Sequence, residues 1–93
     1  MSELVIVRAE SEAALVAEMR RIVGFVDRVP EVRLVDVAYT CALTQGECAI
    51  SLIVSDVVSL RARLVSAADR ISSGETKRIR DKSGTYYFRE HMI

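Results

Sequence analysis

Apolar positions along this chain recur with two periods, and the changes between them mark its elements. Leu4-Val5-Ile6-Val7 is a short β-branched run ending at Arg8, which predicts a buried strand. Ser11 then offers a hydroxyl to the free N–H groups of a first helical turn, and Glu12 places an acid where the helix dipole favours one. Leu15, Met19, Ile22, Val26 and Val29 follow in steps of four and three, a stripe widened by Val16 and Val23. The pattern predicts a long helix over 11–29, weakened slightly by Gly24 and stopped by Pro30.

Residues 34–43 fit both periods. Val35, Val37 and Tyr39 alternate as in a strand, whereas Leu34, Val37, Ala38 and Cys41 share a helical face that Asp36 could cap. After a turn at Gln45-Gly46-Glu47, residues 48–54 read as a strand with Ile50, Leu52 and Val54 on one side. Ser55 and Asp56 supply the next cap. Val57, Leu60, Leu64, Ala67, Ala68 and Ile71 mark a second long helix, over 56–72, closed by Ser72-Ser73-Gly74. Two β-like pieces, 77–80 and 85–89, flank turn chemistry at Asp81-Lys82-Ser83-Gly84 and predict a hairpin. Each helical stripe needs one partner surface, so both long helices are expected on one face of a small sheet.

Ninety-three residues bound this to one small domain, 1–93, with a core over 1–74 and a tail over 75–93. The formal net charge is zero, but the first part carries −2 and the tail +2, from Lys77, Arg78, Arg80, Lys82 and Arg89. Zero net charge disfavours long-range attraction to nucleic acid or an anionic membrane and permits association with protein surfaces. No apolar run approaches the roughly 18 residues of a membrane span, and no secretory leader pattern opens the chain. A reducing cytoplasm is the expected compartment, with Cys41 and Cys48 as free thiols.

Catalytic patterns are missing. The lone histidine, His91, lies near the C-terminus, and two cysteines seven apart with one histidine do not make a zinc set, so no metal or cofactor is expected. Cys41 reads as a buried, inert thiol. The chain contains no GxGxxG, no P-loop and no GxSxG nucleophile elbow. Tyr86, Tyr87 and Phe88 could stack on bases, but with zero net charge and no ribonucleoprotein motif, packing is the better reading.

The segment Leu34-Val35-Asp36-Val37-Ala38-Tyr39-Thr40-Cys41-Ala42-Leu43 resembles the Leu-x-Asp-Val-Ala-Tyr-Thr-x-x-Leu signature of the linker domain between ketosynthase and acyltransferase in modular type I polyketide synthases. The surrounding order is similar to that family too, from the Ser11-Glu12-Ala13-Ala14-Leu15 helix start to Ser55-Asp56 and the final Thr85-Tyr86-Tyr87-Phe88-Arg89-Glu90. One stretch departs from it. Members commonly carry Gly-Arg and then His-Arg ahead of the second strand, where this chain has Gln45-Gly46-Glu47-Cys48-Ala49-Ile50 and no basic residue.

The resemblance implies an α+β fold: a small, mainly antiparallel three-stranded sheet with two long helices and one short helix, over 34–43, on one face. It implies a non-catalytic spacer with Asp36, Val37, Ala38, Tyr39 and Thr40 as a structural motif. The flanking ketosynthase and acyltransferase domains of one polypeptide would be its partners, with an acyl carrier protein approaching along its wall. Tyr39 is expected to pack inward with Ala38 and Cys41. Arg78, Arg80, Tyr86, Tyr87, Phe88 and Arg89 are the expected interdomain contact, and the isolated domain is expected to self-associate through surplus apolar surface. The competing reading is a ferredoxin-like ligand-binding regulatory domain of order βαββαβ, which requires residues 35–42 to be a strand.

Overall fold

In the computed structural model, which describes residues 2–74, 80–81 and 84–89, the chain runs β1 (Glu3–Ala9), α1 (Glu12–Arg28), α2 (Leu34–Ala42), β2 (Cys48–Val54), α3 (Val57–Ser72), β3 (Arg80–Asp81) and β4 (Thr85–Arg89). The boundaries follow from capping. Ser11 accepts from the Ala14 N–H at 3.1 Å to open α1, and the Asp56 carboxylate accepts from the Ser59 N–H at 2.6 Å to open α3. Gly74 follows the end of α3 with φ +86°, and its N–H reaches the Ile71 carbonyl at 3.0 Å.

The strands form one antiparallel sheet of order β1-β2-β4-β3, three full strands and a two-residue edge piece. Val5 pairs with Leu52 and Val7 with Ile50, while Leu52 also pairs with Thr85 and Ile50 with Tyr87. Because side chains alternate, these residues share one face with Val54 and Cys48. That face is the core: Val5, Val7, Cys48, Ile50, Leu52 and Val54 are all buried under the helices. β1 and β4 both run antiparallel to β2 and therefore point the same way on either side of it.

All three helices cover this face, in the expected α+β arrangement. Leu15, Met19, Ile22 and Val26 of α1 and Leu60, Leu64, Ala68 and Ile71 of α3 are buried along their predicted stripes. The two helices run antiparallel. Near one end Arg61 grips Asp27 at 2.6 and 3.0 Å, and toward the other Arg20 approaches Asp69 at 3.8 Å and the Ser72 hydroxyl at 3.4 Å. These pairs lie in solvent and fix register more than they stabilise.

Residues 34–42 are a helix, so the element order departs from βαββαβ and the ferredoxin-like reading fails. The helix starts two residues before Asp36. Asp36 therefore sits within the first turn, held by Arg33 at 3.0 and 3.3 Å, and is not the cap.

The inward packing expected of Tyr39 is wrong: its side chain is 67% exposed. The buried positions of α2 are Val37, Ala38 and Cys41. At about 100° per residue, Tyr39 stands roughly 150° from the centre of that face. α2 lies close over β1, and medium and small side chains fill the space between them.

Candidate functional site

The unexpected surface is the far side of the sheet, which no described element covers. Its cross-strand rows are Leu4 with Ile53; Ile6, Ser51 and Tyr86; and Arg8, Ala49 and Phe88. Leu4, Ile53 and Tyr86 are exposed. The Arg8 guanidinium stands 5.5 Å from the Phe88 ring centroid, a cation–π contact worth about 0.5–1 kcal/mol at an exposed site. It bridges the middle strand, which explains why Ala49 is 0% exposed on an otherwise open face.

β4 looks both ways. Tyr86 and Phe88 belong to the open face, whereas the Tyr87 hydroxyl donates to Glu12 Oε2 at 2.9 Å and ties the strand to the first turn of α1. Burial raises the pKa of that phenol, and the bond to Glu12 raises it further. Arg89 reaches Glu47 at 2.9 Å. The four expected contact residues whose side chains are described thus do not share one face. Tyr86 and Phe88 share the open face; Tyr87 and Arg89 engage this chain's own carboxylates. Arg80 is placed in β3 by its backbone, with its side chain outside the described residues, as are Arg78 and His91 altogether.

A second surface is the outside of α2. Val35, Tyr39 and Leu43, at spacings of four, leave an exposed apolar row. Within the motif, Val37 and Ala38 are core, while Thr40 donates to the Asp36 carbonyl at 3.0 Å. Asp36 and Thr40 face α1 across a cleft of about 280 Å³ lined also by Arg21, Phe25 and Cys41. Ligand pockets run upward from about 300 Å³ and need free polar groups to orient their occupant. Here those groups are engaged already, Arg21 with Glu18, Asp36 with Arg33 and Thr40 with the backbone.

Cys41, at the floor of this cleft, is 2% exposed. Burial pushes its thiol up to about 11; the Glu18 carboxylate adds to the rise and Arg21 opposes it. At neutral pH the sulfur is therefore a thiol and not a nucleophilic thiolate. Cys48 is buried as well, and the two are not bonded to each other. Among the described residues no three His, Cys, Asp or Glu side chains gather as a metal set, and no helix is long and apolar enough to cross a membrane.

The raised thiol has a stability consequence. Its pKa is 9.0 before folding and about 11 after, so the unfolded chain loses this proton first. The contribution is complete below pH 9 and is lost as pH rises through 11, a loss of about 2–3 kcal/mol. Denaturant melts across this window should show the decline in the native chain and a flatter profile in Cys41→Ala.

No family model matches the chain, and no curated protein matches it either. Among solved structures it is similar to the crystal structure of the acyltransferase domain of the iterative polyketide synthase in enediyne biosynthesis, at 22% identity and a TM-score of 0.79. The likeness covers 96% of this chain and 25% of that one, so the chain spans a quarter of the solved protein's length. At this identity the shared property is the fold.

Proposed function

We propose that this domain is a non-catalytic structural linker of a polyketide synthase, setting the distance and angle between a ketosynthase and an acyltransferase domain of one polypeptide. The observation that carries the reading is the fold likeness, which takes in nearly the whole of this chain and a quarter of a polyketide synthase acyltransferase structure. The Asp36–Thr40 segment supports it. So does the strand layout. β1 begins opposite Val54 and β4 ends opposite Cys48, so Glu3 and Arg89 lie toward opposite ends of β2. Six residue steps of strand separate those ends by about 20 Å. A chain that enters at one end of a rigid sheet and leaves at the other is built as a strut.

On this reading the neighbouring domains bear on the two exposed apolar surfaces, the row Val35, Tyr39 and Leu43 and the open sheet face around Tyr86 and Phe88. Arg78, Arg80 and Arg89 flank the second of these in sequence and add polar reach. Tyr87 acts from behind by anchoring β4 to α1. An acyl carrier protein would pass along the remaining wall, and the compartment would be the cytoplasm.

The test is tyrosine footprinting by hydroxyl radicals on this chain alone and on a polypeptide extended into a ketosynthase and an acyltransferase domain. Tyr39 and Tyr86 should label readily in the chain alone and several-fold less in the extended polypeptide. Equal labelling of both in the two samples would refute the reading. Acyl transfer from an acyl-coenzyme A by the chain itself, abolished in Cys41→Ala or Cys48→Ser, would refute its non-catalytic character.

A further inference from the structure

β1 is an edge strand, and which of its backbone groups face outward is fixed by two bonds. The Arg8 N–H reaches away from β2 to the Thr44 hydroxyl at 2.8 Å. The Ile53 N–H, opposite Leu4, points away from β1 to the Gly84 carbonyl at 3.0 Å. In an antiparallel ladder these directions alternate, so Leu4, Ile6 and Arg8 aim their N–H and C=O groups at the free edge. Among the described residues nothing bonds the outward groups of Leu4 or Ile6.

Edges of this kind are normally defended by proline, lysine, a bulge or a covering loop. β1 contains no proline or lysine, and its register with β2 runs without interruption from Glu3 to Ala9. Among the described residues only the Arg8 end is guarded, by Thr44. The four open groups of Leu4 and Ile6 are therefore a strand-pairing site with a defined length.

We propose that this site is filled by β1 of a second copy of the chain, antiparallel about a two-fold axis at Val5, with Leu4 of each copy opposite Ile6 of the other. This register uses all four open groups at once, in two bonded pairs. It places Leu4 and Ile6 side by side on the open face, so that two apolar surfaces become one. Glu3 falls opposite Val7, and the pairing stops short of Arg8, whose N–H Thr44 holds, so no like charges meet, and the chain carries zero net charge to oppose association.

Two neighbouring registers are worse on the same geometry. Centring the pair on Ile6 would require the Arg8 N–H, which Thr44 holds. A shift of one residue would set open-face side chains opposite core-face ones. The α2 helix extends the contact. Its Asp36 and Thr40 side faces α1, so Val35 and Ala42 lie on the opposite flank, the one beyond the β1 edge. These residues would meet their counterparts across the axis. The proposal stands apart from the linker reading and needs no other domain.

Sedimentation velocity over a wide concentration range is the primary measurement, and the native chain should reach twice the monomer mass. Leu4→Lys with Ile6→Lys sets two ammonium groups against each other at each pair and should weaken dimerisation at least about tenfold. Leu4→Lys with Ile6→Glu sets opposite charges against each other in this register alone and should restore a dimer that weakens with salt. Ile53→Lys, on the open face but one strand in from the edge, should leave the dimer intact.

A native chain that stays monomeric throughout would overturn the proposal. So would dimerisation of the double lysine variant as strong as the native chain's, a Lys/Glu variant no better than the double lysine variant, or loss of the dimer in Ile53→Lys. Amide exchange on the native chain reads the contact without substitution. Protection of the Leu4 and Ile6 amides should rise with concentration, and protection that stays constant would count against the pairing even if a variant failed to fold.

Discussion

Leu64→Ala should lower the unfolding free energy by about 2–5 kcal/mol, the range for deleting a buried leucine when its surroundings relax only in part. Leu64 is fully buried on α3, within the core that α1 and the sheet complete. A domain of this size has about 5–14 kcal/mol of total stability, so one such cavity removes a large share of it. Val58, on the same helix and 80% exposed, is the internal comparison: Val58→Ala should move stability by less than about 0.5 kcal/mol. Urea melts of both variants, with the slope unchanged, check the pair. Equal effects would mean that α3 does not bury the face assigned to it.

Gly46→Ala should cost about 1–3 kcal/mol by a different mechanism, overpacking. Gly46 has φ +145°, and a Cβ there would stand 2.1 Å from both the carbonyl carbon and oxygen of Ala9. Backbone cannot swing aside as a side chain can, so the loop between α2 and β2 would have to lift from the end of β1. Thr44 lies in that loop, and its bond to the Arg8 N–H should break with it. Gly24→Ala provides the opposite sign. The new methyl would meet only the Arg28 Nη1 at 3.8 Å, in a helix interior where alanine is favoured by about 0.5–1 kcal/mol. Thermal melts in which both variants shift the same way would contradict the local geometry at one of the two glycines.

The elements themselves were readable in the sequence because each leaves a local mark. Ser11 and Asp56 announced the long helices, and their four-and-three stripes became the buried faces. Residues 34–43 were different. Their period fits a strand or a helix, and it was the resemblance of Asp36–Thr40 to a known linker motif that favoured the helix found. The facing of Tyr39 escaped because it depends on how closely α2 approaches β1, which local pattern does not carry.

The open face and the free edge were invisible for the same reason. Leu4, Ile6 and Ile53 look like ordinary strand residues until the strand order places them with no helix above and no strand beside. Thr44 gave no signal as an edge guard, since its partner at Arg8 is 36 residues away. Glu12 and Tyr87, 75 residues apart, are paired only because β4 joins β2 on the side away from β1.

The shared direction of β1 and β4 also decides how the domain answers to a pull. Tension applied through Glu3 and Arg89 would draw β1 and β4 in opposite directions along β2. Interstrand hydrogen bonds lie perpendicular to that line, so they are loaded together in shear and do not open one by one like a zipper. The five-residue register of β2 with β4 and the seven-residue register of β1 with β2 would each have to slip as a block. Forced extension is governed by the height of the unfolding barrier and not by net stability, so a domain of modest thermodynamic stability can still be mechanically stiff along this one axis.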